Sequence, residues 1–325
     1  MGKSCIKSLL LLAVCVVVAA CGKEADVKTL KMAHSLDQTH PVHKAIVFMS
    51  DRLESISGGK MKIDIYPGGQ LGDERELMEL LQIGSLAMTK VSSSPMEGFV
   101  PAMKVFNIPY VFRDNEHFWR VLNSAEGEKL LLSGDSVNLR GLGYFDAGSR
   151  SFYTTDTPVH SPEDLKGLKI RVQQSQTALR MVQALGGSGT PISWGELYTA
   201  LSQGVVDGAE NNPPSFYTSK HYEVSKFYTL NEHTYVPDIV LISSYIWNHL
   251  SAQQQQWLQQ AMDEAVVYER KLWAESTAEA LAAVEAAGVT VIRPDKKPFM
   301  ERVEPMHESY KGTELYDLIQ TFKAM

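Results

Sequence analysis

Cysteine is scarce in this sequence. The 325 residues contain only Cys5, Cys15 and Cys21, and no cysteine follows Cys21. The main body of the chain therefore cannot hold an internal disulfide or a cysteine-based metal cluster. A chain of this length can be stabilised by burial of apolar surface alone.

Basic runs are absent as well, and the formal net charge is −7. An acidic chain without a basic patch is a poor candidate for nucleic-acid binding. If the ligand is an anion, the attraction must be local, from a few buried arginines, because the overall field is negative.

Signatures of catalysis are also lacking: there is no Gly-x-Ser-x-Gly motif, no phosphate-binding loop and no Ser-His-Asp order. His40 and His43, with His34 nearby, form only a weak metal-binding pattern. Linkers rich in Pro, Gly or Ser, and internal repeats, are missing too, which favours compact lobes joined by more than one crossing.

The N-terminal segment has the three parts of a secretory signal peptide: a basic start at Lys3 and Lys7, an apolar run over Leu9–Val18, and small residues before Cys21. The apolar run is too short for a stable membrane span. Val18-Ala19-Ala20-Cys21 also resembles a bacterial lipobox, which implies a signal peptide over residues 1–20 and lipidation of Cys21. Ordinary cleavage nearby, leaving Cys21 as a free thiol, is the alternative.

Apolar periodicity predicts alternating strands and helices, and so α/β lobes. Ser251–Ala287 has no Pro and no Gly and is rich in helix formers, so it predicts one helix of about 50 Å spanning both lobes. Two helices with a kink are the alternative. The predicted strands cover residues 29–33, 62–66, 86–91, 142–145, 152–154, 168–172, 205–207 and 238–244. The other predicted helices cover residues 41–57, 73–83, 116–122, 175–184 and 193–203. An apolar loop is predicted over residues 106–112.

Two blocks combine a buried strand with polar groups: Gly167–Val172, which contains Arg171, and Gly204–Asn212, in which an acid and two amides follow the predicted strand. A guanidinium can hold a carboxylate through two parallel hydrogen bonds. Acids and amides suit hydroxyl groups. The pair of blocks therefore indicates binding of a small, hydroxyl-rich carboxylate.

These blocks, together with Leu71–Glu74, Pro191–Asn211 and the long late helix, resemble the TRAP-transporter substrate-binding proteins of the DctP type. The resemblance runs in order from about Lys28 to Ile319. It implies an α/β fold of the two-lobed periplasmic-binding-protein type II, with a central cleft and a long helix across both lobes. It also implies a non-enzymatic, cofactor-free protein that delivers an organic acid to TRAP permease subunits in the membrane.

By this resemblance Arg171 holds the ligand carboxylate, and Arg150 is a second arginine that reaches the ligand. Without the family resemblance, an arginine at a strand end, such as Arg171, is more often part of a surface salt bridge. The alternative for Arg150 is an ion pair with an acid such as Asp146.

Further predicted contacts each have an alternative. Glu210 and Asn211 could instead belong to a turn, Trp194 to the core, and Glu74 to the charged start of a helix. His233 could line the hinge, and Tyr217 could serve packing. The complete predicted set is Arg171, Arg150, Asn211, Glu210, Glu74, Trp194, His34, Ser35, Ser92, Ser93, His233 and Tyr217.

The segment Gly208–Tyr217 resembles the hexuronate-binding subgroup, so glucuronate or galacturonate is the predicted ligand, with diketogulonate, sialate or a C4-dicarboxylate as alternatives. We expect a monomer, tethered in the periplasm, with residues 21–147 and 237–276 in lobe I and 148–236 and 277–325 in lobe II. A ligand sensor is a second possible role, while a metal-binding lipoprotein and an enzyme are the other classes considered.

Overall fold

A computed structural model describes residues 27–325. The predicted signal peptide and Cys21 lie outside the described residues. Across the part described, no helix is long and apolar enough to cross a membrane.

Eleven strands and twelve α-helices make up the described chain. The strands are β1 Lys28–Ala33, β2 Met61–Tyr66, β3 Met88–Ser92, β4 Leu139–Phe145, β5 Ser149–Thr154, β6 Lys169–Val172, β7 Ser188–Pro191, β8 Gly208–Asn211, β9 Phe227–Tyr235, β10 Asp238–Ser243 and β11 Thr290–Ile292. The helices are α1 Pro41–Ile56, α2 Glu74–Gln82, α3 Ser93–Met96, α4 Asn115–Leu122, α5 Ala125–Leu131, α6 Gln176–Ala184, α7 Leu197–Ser202, α8 Pro213–Thr218, α9 Ser244–His249, α10 Ala252–Ala286, α11 Lys297–Glu308 and α12 Glu314–Ala324.

The strands form two sheets, which confirms the predicted α/β class. The first sheet has the order β2-β1-β3-β10-β4, and the second has the order β11-β9-β5-β8-β6-β7. In the first sheet β1 runs parallel to β2 and β3, while β10 is antiparallel to β3 and β4. Below, lobe I means the body built on the first sheet and lobe II the body built on the second.

The chain passes between the sheets at two short segments. Asp146–Gly148 joins β4 to β5, and Val236–Pro237 joins β9 to β10. Asp146 is fixed by the long helix, because its backbone N–H donates to Glu269 at 2.8 Å. The two crossings and the long helix therefore join the two sheets.

Helix α10 is one continuous helix, as predicted, and the alternative of two kinked helices is excluded. Ser251 and Gln254 form a reciprocal capping box at its start. The helix packs on α1 of lobe I and on α8 of lobe II, so it does span both bodies.

An apolar core continues behind the cleft. One buried cluster includes Val91 and Leu241 from the first sheet, Phe152 and Ile170 from the second, and Phe322 from the C-terminal helix. The two lobes therefore share one continuous apolar core.

Some predicted elements were wrong. Residues 205–207, expected to be a strand, form a bend, and the strand begins at Gly208. The backbone N–H of Val205 donates to the Ala200 carbonyl at the end of α7, which leaves Val205 51% exposed. The helix predicted over 193–203 is a 3₁₀ turn over Trp194–Glu196 followed by α7. The first two residues of the loop predicted over 106–112 belong to a 3₁₀ helix over Pro101–Asn107.

Position 208 requires a glycine, because the start of β8 lies against the backbone of β5. A Cβ at Gly208 would lie 2.4 Å from the Tyr153 carbonyl oxygen, which is fixed in the sheet. We predict that Gly208→Ala lowers the free energy of unfolding by about 2–3 kcal/mol, measured by urea denaturation. Gly195→Ala is the matched control, because a Cβ at Gly195 meets no atom within 4 Å. Equal stability of both variants would contradict this packing.

Candidate functional site

A cavity of about 590 Å³ lies between the two sheets. Side chains of both lobes line it, so the cavity is the predicted cleft. Seven of the predicted binding residues lie in its wall: Ser35, Glu74, Ser92, Arg150, Arg171, Trp194 and Asn211.

Arg171 presents a guanidinium with unused donors to this cavity. It stands on β6 and is 2% exposed. Within residues 27–325 its side chain makes one hydrogen bond, from Nε to the Ile192 carbonyl at 2.8 Å, and its buried Nη1 has no partner. The guanidinium lies 5.6 Å from the ring centre of Trp194. The alternative of a surface salt bridge is excluded, because the group is buried and forms no ion pair in the described chain.

Burial lowers the pKa of Arg171 to about 10, and the nearby Arg150 cation also lowers it. The group still carries its charge at neutral pH. A buried, charged guanidinium is energetically costly unless an anion compensates it.

Arg150, in contrast, is already neutralised. Its Nε and Nη2 donate to the two carboxylate oxygens of Glu210, and its Nη1 donates to Asn211 Oδ1 at 2.8 Å. Strand β5 pairs with β8 in the register Phe152↔Glu210, which brings these three residues together. The sequence left open an ion pair with Asp146, but the acid partner is Glu210.

The charge of this pair is stable at ordinary pH. Burial alone would raise the pKa of Glu210, but the Arg150 guanidinium and the nearby His233 ring, whose Nε2 lies 3.5 Å from Glu210 Oε2, lower it to about 2. Glu210 is absent from the cavity wall, because its carboxylate points to Arg150.

Lobe I contributes a buried cluster of which only Glu74 was predicted from the sequence. Lys90 Nζ lies 3.1 Å from Glu74 Oε1 and 3.1 Å from Asp238 Oδ1. The backbone N–H of Ser92 also donates to Glu74, at 3.1 Å. Glu74 therefore reaches the cavity from the start of α2, and its role is larger than helix-end charge pairing.

Burial and two acids act in opposite directions on this lysine. Burial would lower the pKa of Lys90, but Asp238 and Glu74 raise it above the ordinary value, so the ammonium is kept. Burial, with the charge of Glu74, raises the pKa of Asp238, and Lys90 partly offsets this.

Five predicted residues lie outside the cavity wall. His34 Nε2 bonds to His43 Nδ1 at 3.0 Å, and Ser93 is fully buried. His233 stacks on Phe152 with ring centres 4.5 Å apart. Tyr217 is 38% exposed and stacks on Tyr222. The fifth is Glu210, described above.

Hydrogen bonds connect the two lobes across the cavity. Ser92 Oγ lies 3.3 Å from Gln173 Oε1, and Gln174 Nε2 donates to Asp73 at 3.2 Å. Deeper in the cleft, His40 Nε2 lies 3.1 Å from Ser215 Oγ. These contacts define a closed arrangement, in which both lobes face the same small volume.

The tautomer of His40 follows from its surroundings. The Val42 backbone N–H donates to His40 Nδ1 at 3.2 Å, so Nε2 carries the proton that is donated to Ser215. Among residues 27–325 no group of three or more His, Cys, Asp or Glu side chains could hold a metal ion.

Two α/β lobes are joined by two crossings and a shared helix, and they close over a cavity that contains a buried guanidinium without an ion-pair partner in the described chain. This arrangement defines a two-lobed binding protein for small organic anions. The chain belongs to the bacterial extracellular solute-binding proteins of family 7, the DctP family, whose pattern matches residues 32–313. It is therefore a substrate-binding protein of the TRAP type, a transport component of a periplasmic family.

Individual relatives are similar over nearly the whole chain. A Salmonella typhimurium protein named uncharacterized protein YiiZ is 39% identical over 300 residues, covering 90% of this chain and 91% of the relative. A solute-binding protein of Bradyrhizobium sp. BTAi1, solved with α/β-D-galacturonate, is 40% identical, with a TM-score of 0.89 over 92% of this chain and 100% of that one. A Pseudomonas putida F1 protein, solved with D-glucuronate, is 38% identical, with a TM-score of 0.88 over 91% and 97%.

Proposed function

We propose that this protein captures a hexuronate, D-glucuronate or D-galacturonate, and delivers it to TRAP permease subunits. The observation that carries the proposal is the buried guanidinium of Arg171, whose Nη1 faces no protein acceptor within the described chain. Solved relatives bound to galacturonate and glucuronate support this choice of ligand. A cavity of about 590 Å³ has the size typical of small-ligand sites.

In this proposal Arg171 forms two parallel bonds to the ligand carboxylate, and the indole of Trp194 packs on a face of the sugar. Sugar hydroxyls bond to Glu74, Asn211, Arg150, Ser35 and Ser92. Charge-assisted bonds contribute about 1.5–3 kcal/mol each. Two of them with several hydroxyl bonds reach the roughly −8 kcal/mol of a micromolar ligand after the cost of ordering.

The predicted residues outside the wall have an indirect role in this proposal. Glu210 and His233 hold Arg150 in position, and His34 and Ser93 support the cavity from behind. Tyr217, stacked on Tyr222 at the surface, contributes to packing.

We further propose that ligand closes the hinge between lobe I (21–147 and 237–276) and lobe II (148–236 and 277–325). Only the closed form brings Arg171 and the Lys90 cluster to opposite sides of one ligand, so ligand favours closure by its differential affinity for that form. The closed state is then stabilised by three hydrogen bonds between the lobes: Ser92–Gln173, Asp73–Gln174 and His40–Ser215.

For the location, we propose a monomer tethered to the membrane by a lipidated Cys21, with no enzymatic activity. The lipobox-like Val18–Cys21 supports the tether. Several acyl chains would anchor it stably, since each buried methylene contributes roughly 0.8 kcal/mol.

Other members of the family are named for sialic acid and for 2,3-diketo-L-gulonate. A thermal-shift screen separates these ligands, because a ligand that binds only the native form raises the melting temperature. We expect D-glucuronate or D-galacturonate at 1 mM to raise it by several degrees, and sialate and succinate to raise it less. A larger shift with sialate or succinate, or none with either uronate, would contradict the hexuronate proposal.

A further inference from the structure

The two walls of the cavity carry opposite charge. Lobe I presents four acids against two cations: Asp73, Glu74, Glu76, Asp238, Arg75 and Lys90. The cation Arg75 is engaged elsewhere, because it pairs with Glu79 at 3.1 Å and lies over the Phe99 ring. On lobe II the wall acid Glu196 is exposed and accepts a hydrogen bond from Ser193 Oγ at 2.7 Å. The charge of Arg150 is balanced by Glu210, and Arg171 remains as a buried cation without an ion-pair partner in the described chain.

Lys90 does not turn the lobe I wall into an anion site. Two of its three N–H donors are directed at Glu74 and Asp238, and its side chain is 3% exposed. A ligand carboxylate at this wall would be a third anion around one ammonium, in a setting where water screens poorly. A hydroxyl group has no such cost, since it can donate to either acid.

We propose that Glu74, Asp238 and Lys90 form a charge filter, which admits acids with one carboxylate and a hydroxylated far end and rejects diacids. This inference rests on the proposed function, because Arg171 must hold the single carboxylate at the opposite wall. In this proposal the ligand carboxylate binds at the buried Nη1 of Arg171. The acids on lobe I then require the opposite end of the ligand to carry hydroxyl groups and no second carboxylate.

The test compares three acids by competition calorimetry on the full protein: D-galacturonate, the open-chain monoacid D-galactonate, and the diacid galactarate. The last two share their hydroxyl pattern and differ in a second carboxylate. The variants are Glu74→Gln, Asp238→Asn and the double variant. Asp64→Asn is the control, because it removes one exposed acid of lobe I that pairs with Lys62 away from the cavity.

In the wild type we expect galactarate to bind at least tenfold more weakly than galactonate. Each single variant should strengthen galactarate binding at least tenfold without a matching gain for galactonate, and Asp64→Asn should change neither. If Asp238→Asn fails to fold, Glu74→Gln alone tests the charge filter. This variant is expected to fold, because Glu74 is the first residue of a helix at the surface.

Two results would overturn the filter while leaving the proposed function intact: a wild type that binds galactarate as tightly as galactonate, or variants that bind galacturonate but gain nothing for galactarate. A wild type that binds no uronate at all would overturn the proposed function, and the filter with it.

Discussion

Replacing Arg171 by alanine is expected to weaken hexuronate binding a hundredfold or more. The variant loses two charge-assisted bonds of about 1.5–3 kcal/mol each, and each 1.4 kcal/mol corresponds to a factor of ten. Arg171→Lys should lose at least tenfold, because an ammonium keeps the charge but cannot form two parallel, coplanar bonds to a carboxylate. Isothermal calorimetry with D-glucuronate and D-galacturonate measures both.

The matched control is Arg180→Ala, which removes an exposed arginine of helix α6 on the same lobe. It should leave the affinity unchanged, so that a loss in Arg171→Ala cannot be assigned to net charge. A cooperative thermal transition of the free Arg171 variants confirms that they fold. Wild-type affinity in Arg171→Lys would contradict the bidentate contact.

Glu210→Ala is expected to lower the free energy of unfolding by about 3–5 kcal/mol. The substitution leaves Arg150 buried without its acid, and breaking a buried ion pair at one partner costs more than the pair itself contributes. Both side chains are almost inaccessible, with 4% and 3% exposure, so water cannot compensate. Urea denaturation measures the loss.

Two comparisons sharpen this result. Glu79→Ala removes the acid of an exposed pair with Arg75 and should cost under about 1 kcal/mol. The double change Arg150→Met with Glu210→Leu should recover much of the stability lost in Glu210→Ala, because it removes both buried charges. A loss below 1 kcal/mol in Glu210→Ala would show that Arg150 finds another partner.

Local patterns predicted most elements of this fold. Long amphipathic segments such as Pro41–Ile56 and the Pro-free, Gly-free run that forms α10 have a clear period and clear ends. The strand after Gly204 was misplaced, because Val205 and Val206 look like a buried strand, whereas the backbone of Val205 is bonded to the end of α7.

The site was predicted less completely, for a physical reason. Arg171 stands at a strand end in a recognisable motif, so its place in the cleft could be predicted. Lys90 and Asp238 meet because β3 and β10 are antiparallel neighbours, with Lys90 opposite Val240 and Asp238 opposite Ser92. That register depends on long-range pairing, which the sequence does not display.

A lysine inside an otherwise uncharged, fully buried strand was the available signal. Lys90 lies in the run from Met88 to Val91, where an unpaired ammonium could not be buried without an acid. A search for such acids among the strand ends would have pointed to Asp238. Likewise, the pairing of Arg150 with Glu210 follows from the β5–β8 register and not from their local sequence.

The most direct test is a crystal structure of the protein grown with D-galacturonate. The carboxylate oxygens should lie within hydrogen-bonding distance of the terminal nitrogens of Arg171, with the ring hydroxyls toward Glu74 and Asp238. A sugar bound the other way round, with its carboxylate at Lys90 and a hydroxyl at Arg171, would contradict the central claim.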